Sequence, residues 1–145
     1  MDVRFRVRRA RRDDLDRVRS LLGVQAKPEP RERKRWRRLV STLREDLYLA
    51  EREDDDTLVG LAVIIYVRGL GPPAAIVRQL HGASDAATRM LLACASGRAL
   101  ARGCVRLEVQ LAPETSAGNT VLADALVAGG WNAGPRTLVR SFPHE

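Results

Sequence analysis

Cysteine, histidine and each aromatic residue are scarce in this chain of 145 residues, with two copies apiece. Cys94 and Cys104 are too few for a disulfide framework, so a reduced, cytoplasmic protein is the simplest expectation. Neither His81 nor His144 has a Cys or another His nearby at ligand spacing, so no metal site is expected. Aromatics form only 4% of the chain, and no stacking platform for a nucleic acid is visible. The longest apolar run, Leu58–Val67, is far too short to cross a bilayer, and no membrane partner is expected. The charged N-terminus is not followed by an apolar segment, so no signal peptide is visible. Lysine is nearly absent too: Lys27 and Lys34 are the only two, and every other basic residue is arginine.

What remains is a globular composition. With 45% hydrophobic and 30% charged residues, the chain is long enough to bury a core and fits one domain spanning 1–145. Its charge is lopsided. The first 52 residues carry 17 basic and 9 acidic side chains, a net of +8, whereas the whole chain stands at +7. Two explanations compete: arginine bias with solvated helix faces, and a basic rim that attracts an acidic substrate, an anionic partner or nucleic acid.

The pattern along the chain is legible. Residues 3–7 alternate and read as a strand with one buried face. Residues 11–22 place Leu15, Val18, Leu21 and Leu22 on one helical stripe, with Asp13 and Asp14 in the first turn. After a proline-broken segment, a second helix carries Trp36, Leu39, Val40 and Leu43 on one face and Arg31, Arg35 and Arg38 on the other. Strands are predicted at 47–51 and 58–67, joined as a hairpin by the acidic turn 53–56. A further strand at 75–80 leads by a short turn into an alanine-rich helix, about 85–102, closed by Gly103. Strand 105–111, a short helix at 119–128 and a last strand at 137–142 complete the chain. The predicted fold is α/β (α+β), with a mixed central sheet and the order β-α-α-β-β-β-α-β-α-β.

This layout resembles the GNAT superfamily of acyl-CoA-dependent N-acyltransferases over nearly the whole chain. The opening VRRARRDDLDRVRSLL resembles the family's first strand and helix, and LYLAEREDDDTLVGLAVI its second hairpin, with Val59-Gly60 in place. LLACASGRALARGCVRLEVQ resembles the helix and strand after the cofactor loop. NTVLADALVAGGW resembles the late module with Asn119, Gly130 and Trp131 in register. The resemblance implies acetyl-CoA or another acyl-CoA as cofactor, held around the turn by Leu80, Gly82, Ala83, Ser84, Ala86, Ala87, Thr88 and Arg89, with Asn119 on the pantetheine arm. A helix N-terminus is suited to such work, because its free N–H groups and dipole attract phosphate. Asn119 also reads as a helix N-cap.

The chain departs from the family where the chemistry should lie. The family's loop follows R/Q-x-x-G-x-G/A, and the matching positions here are Ala83, Ala86 and Thr88. The connection is about two residues short, and Asp85 adds negative charge beside an anion site. The tyrosine that many members use to protonate the thiolate is matched by Leu126. The candidate bases are His81, an imidazole at a strand end near the expected thioester, and Glu114 after the fifth strand. Glu108 reads as cover for the solvent face of its strand, and Trp36 and Trp131 as core.

Three readings follow. The first is an N-acyltransferase whose amine acceptor, a small molecule or a protein segment favoured by acidity, approaches the arginine-rich region between the first two helices. The second is a catalytically degenerate GNAT-fold protein that binds a ligand or a protein. The third, a nucleic-acid-binding module, rests on charge alone and is not expected. Strand edges in this fold often pair between subunits, which leaves room for a homodimer.

Overall fold

The structure, a computed structural model, describes residues 3–110, 126–132, 140 and 143. Packing divides the chain into two compact units, Met1–Leu111 and Ala112–Glu145. In the first unit the elements run β1 (Phe5–Arg9), a 3-10 turn (Arg12–Asp14), α1 (Leu15–Leu21), α2 (Pro30–Ser41), β2 (Glu45–Arg52), β3 (Leu58–Val67), β4 (Ala74–Gly82), α3 (Asp85–Ala101) and β5 (Arg106–Val109). The five strands form one sheet in chain order. Strands β1 to β4 are antiparallel, and β4 and β5 are parallel across the α3 crossover. This is the mixed sheet expected for α/β order β-α-α-β-β-β-α-β. The last predicted helix and strand lie outside the described residues, apart from a helical turn at 126–128.

Alternation along the strands sorts the core into two layers. Leu47, Leu49, Leu61 and Val63 pack with Leu15, Val18 and Trp36, so α1 and α2 cover one face. Tyr48, Ala50, Ala62 and Ile64 point to the other face, where α3 buries Ala87, Leu91, Ala95 and Ala99. The small residues of α3 let it lie close to the sheet. Gly60 shows how close: a Cβ there would sit 2.7 Å from a methyl of Leu91. At the far end of α3, Gly103 takes a positive φ of 75°, the left-handed closure expected of it.

Two core assignments need correction: α1 ends at Leu21, and Leu22, expected on its apolar stripe, is 49% exposed. The helical stripe predicts Leu43 on the apolar face of the second helix, but α2 ends at Ser41 and Thr42 is extended. Leu43 therefore falls in the turn before β2 and is 79% exposed. Trp36 is buried as expected, its indole N–H donating to the carbonyls of Arg11 and Arg12 at 3.0 and 3.1 Å.

Buried carboxylates bind several arginines into the fold. On the α1 side, Arg8 forks onto Asp14 with 2.8 Å to each oxygen and stands 3.2 Å from Glu51. Arg6 bonds Glu51 at 2.6 Å, and Arg17 reaches both acids. Burial opposes ionisation of Asp14 and Glu51, and the arginine hydrogen bonds outweigh it, so both are held below the ordinary carboxylate range. On the α3 side, Asp46 is 2% exposed and accepts from Arg9 at 2.6 Å and from the Tyr66 hydroxyl. Arg98 and Arg102 lie 3.5 and 3.7 Å from the same carboxylate, and Arg102 stacks over Tyr66 at 4.0 Å. Burial, then the bond to Asp46, raises the Tyr66 hydroxyl above its ordinary range.

Candidate functional site

Among the described residues, β4 extends beyond its pairing with β5. β5 follows β4 from Ala74 to Val77 among these residues, and the Gln110 N–H donates to the Val77 carbonyl at 2.9 Å. β4 continues alongside β3 as far as the Gly60 to Gly82 pair. From Arg78 to Gly82 the strand is therefore paired on one side only, among the described residues. A bulge marks the same point: Ile64 pairs with Val77 and Val63 with Gln79, so Arg78 is the extra residue. Bulges interrupt a ladder and re-aim its side chains. Arg78, Gln79, His81 and Gly82 are exposed, and Leu80 is half-buried. By register His81, opposite Leu61, lies on the α1–α2 face, while Leu80 and Gly82 lie on the α3 face.

Only Ala83 and Ser84 separate β4 from α3. Ala83 donates its N–H to the Val59 carbonyl at 2.8 Å, which ties the turn to β3. Ser84 is the N-cap: its hydroxyl oxygen accepts from the Ala87 N–H at 3.2 Å. The Thr88 hydroxyl donates to the Ser84 carbonyl at 3.0 Å. Thr88 is turned inward and occupies the space beside Gly82, where a Cβ would lie 2.0 Å from its oxygen. Glycine at 82 and threonine at 88 thus fit each other. Ala87 is also buried, while Ala83, Ser84, Asp85, Ala86 and Arg89 are exposed.

The backbone N–H groups of Ser84, Asp85 and Ala86 have no partner among the described residues. Three successive donors at the start of a 17-residue helix suit an anion. Arg78 and Arg89 add positive charge without an ion pair among the described residues. Against them stands the exposed carboxylate of Asp85 in the first turn. The backbone therefore fits a coenzyme pyrophosphate, and the side chains of the motif positions contribute no ligand of their own.

A second feature lies on the other side of the fold. The segment between α1 and α2 bounds an open cleft of about 630 Å³, lined by Asp16, Ser20, Gln25, Lys27 and Arg33 among others. Arg19, 8% exposed, holds this segment by donating to Glu32 and to the Ala26 carbonyl. Among the described residues, no three His, Cys, Asp or Glu side chains gather as a metal site. Cys94 and Cys104 are free thiols, and burial raises that of Cys94. No described helix is long and apolar enough to cross a membrane.

Of the residues singled out from sequence, the structure brings Leu80 through Arg89 together around the strand end and helix start. Glu114 and Asn119 lie outside the described residues. Leu126 opens the helical turn at 126–128 in the second unit, and its carbonyl accepts from the N–H groups of Gly129 and Trp131, both at 3.0 Å. Glu108 is half-buried and pairs with Arg106 at 3.0 Å. Sequence reasoning missed Arg78 and Gln79, because a bulge follows from strand register and leaves no mark in composition. It also missed the cleft residues Asp16 and Gln25, which are ordinary polar residues until the loop folds.

No family model matches the chain, and no curated protein matches it in sequence. Solved structures match it over nearly full length. A transcriptional regulator from Bacillus halodurans superposes with a TM-score of 0.80 at 18% identity, covering 96% of this chain and 100% of its own. The Thermus thermophilus protein TTHA1254 gives 0.73 at 28% identity, covering 97% and 99%. An aminoglycoside N-acetyltransferase in complex with CoA gives 0.75 at 14% identity, covering 98% and 97%. A Trypanosoma brucei acetyltransferase also superposes, at 0.73 and 14% identity, covering 96% and 100%. The fold of this chain is that of the GNAT acetyltransferases.

Proposed function

We propose that the chain is an N-acyltransferase that uses acetyl-CoA or a related acyl-CoA and acts on an amine. The observation that carries this reading is the coincidence of an opened strand edge, Arg78 to Gly82, with three unpartnered N–H groups at the start of α3. A bound acyl-coenzyme A would supply the acyl group as a thioester for transfer to the amine nitrogen, with the coenzyme thiol as leaving group. The Ser84, Asp85 and Ala86 N–H groups hold the pyrophosphate, with Arg89 one helical turn beyond Asp85 offsetting its charge. The free edge of β4 orients the rest of the donor, and this positioning supplies much of the rate. His81, exposed on the α1–α2 face, takes the proton of the attacking amine. The thiol product would take its proton from water.

The acceptor enters by the cleft between α1 and α2, where Asp16 suits an ammonium group and Lys27 and Arg33 suit a carboxylate. An acceptor carrying both groups fits best. A second reading, a degenerate GNAT-fold binding module, draws on Asp85 at the anion site and on the Ser84 and Thr88 side chains that close the first turn. Calorimetric titration with acetyl-CoA, followed by thiol release in the presence of amino acids and polyamines, separates the two. Micromolar binding with amine-dependent thiol release supports the transferase. Binding without release favours the module, and no binding at millimolar coenzyme overturns the donor site itself.

A further inference from the structure

The α2 helix carries a dense cluster of exposed cations. Six of its twelve residues are cations: Arg31, Arg33, Lys34, Arg35, Arg37 and Arg38. All six are exposed, and none of their side chains makes an ion pair or hydrogen bond among the described residues. Glu29, which precedes the helix, and Glu32 within it are the acids nearest in sequence, and other carboxylates hold other arginines. Asp14 and Glu51 bind Arg6, Arg8 and Arg17, Asp46 binds Arg9, and Glu32, the one acid within α2, binds Arg19.

We infer that the outer face of α2 is a docking surface for the phosphate backbone of duplex nucleic acid. Arg31, Arg35 and Arg38 follow one another at i, i+4 and i+7, with Arg31 and Arg38 opposite the buried Trp36 and Arg35 toward the side of the helix. The helix is about 18 Å long, a span over which a duplex presents roughly ten phosphate charges. Guanidinium groups match phosphate with two parallel hydrogen bonds. The face has no exposed apolar or aromatic residue, since Trp36 is buried and Leu39 and Val40 pack against the core. A protein partner would call for aromatic anchors and fewer charges at the centre of its interface. A membrane would call for apolar side chains to insert. Single strands would call for exposed rings. With no base-reading side chain on this face, docking is independent of sequence and governed by salt. It stands apart from the coenzyme site and does not depend on the transferase reading.

The test is fluorescence anisotropy of a labelled DNA duplex against the full chain over a range of salt. Wild type binds at about 50 mM salt and weakens steeply as salt rises. The variant Arg31→Gln, Arg35→Gln, Arg38→Gln loses at least about tenfold in affinity, and its log–log salt slope falls by about 0.9 for each arginine removed. A control with the same net charge, Arg4→Gln, Arg44→Gln, Arg68→Gln, stays close to wild type. Circular dichroism checks that both variants remain folded. Absence of duplex binding at low salt overturns the proposal, as does equal weakening in the two variants. Displacement of the duplex by polyglutamate at equal or lower charge concentration also overturns it, in favour of an acidic protein partner.

Discussion

Arginines on the two faces of the sheet and arginines on α2 are the same residue in opposite circumstances. Arg8 of β1 is held by Asp14 and Glu51, and Arg9 by Asp46, each on a carboxylate that is almost wholly buried. Arg31, Arg35 and Arg38 of α2 are exposed and make no ion pair among the described residues. The first group joins strands to helices and belongs to the fold. The second contributes little to it and remains available to an anion. A buried acid, more than the arginine, decides which role an arginine takes.

The comparison is sharpest at Asp46. Asp46→Ala strands Arg9, Arg98 and Arg102 and leaves the Tyr66 hydroxyl without its acceptor, and should cost about 3 kcal/mol. That figure is at the lower end for a buried pair because the arginines are partly in water. Urea unfolding measures it, and a loss under about 1 kcal/mol would break the distinction. Glu51→Gln should cost less, about 2 kcal/mol, since Arg8 keeps its fork on Asp14.

Acid provides a third approach. Asp14 and Glu51 are depressed in the fold, so the stability they add is complete above the ordinary carboxylate range, near pH 4, and is lost as pH falls toward their lower folded values. Stability should be flat above about pH 5 and decline below it. The decline should be shallower in the Asp14→Asn, Glu51→Gln variant. The smallest effect belongs to α2. Removing Arg31, Arg35 and Arg38 should change stability by no more than about 0.5 kcal/mol and leave the acid profile unaltered. A larger loss would mean that these side chains contribute to the fold after all.

Periodicity carried most of the fold. The stripe of Leu15 and Val18, the alternation in β1 and the run Leu58–Val67 each name their element, and Gly103 its helix end. Leu43 misled because its i+7 spacing from Trp36 continues the stripe, while the backbone turns extended at Thr42. The anion site was legible by position only. Ala83, Ala86 and Thr88 say which side chains are present, but the inward turn of Thr88 onto Gly82 depends on three-dimensional fit. Likewise the bulge at Arg78 is a matter of strand register rather than composition.

The most direct test of the coenzyme site reads its three donors. In amide NMR spectra, addition of coenzyme A should shift Ser84, Asp85 and Ala86 downfield, as each N–H gains a phosphate acceptor. Ala83 and Ala87, already bonded to Val59 and Ser84, should move less. Shifts of that pattern would place the pyrophosphate on the start of α3. No shift at millimolar coenzyme, or shifts confined to other segments, would contradict the account.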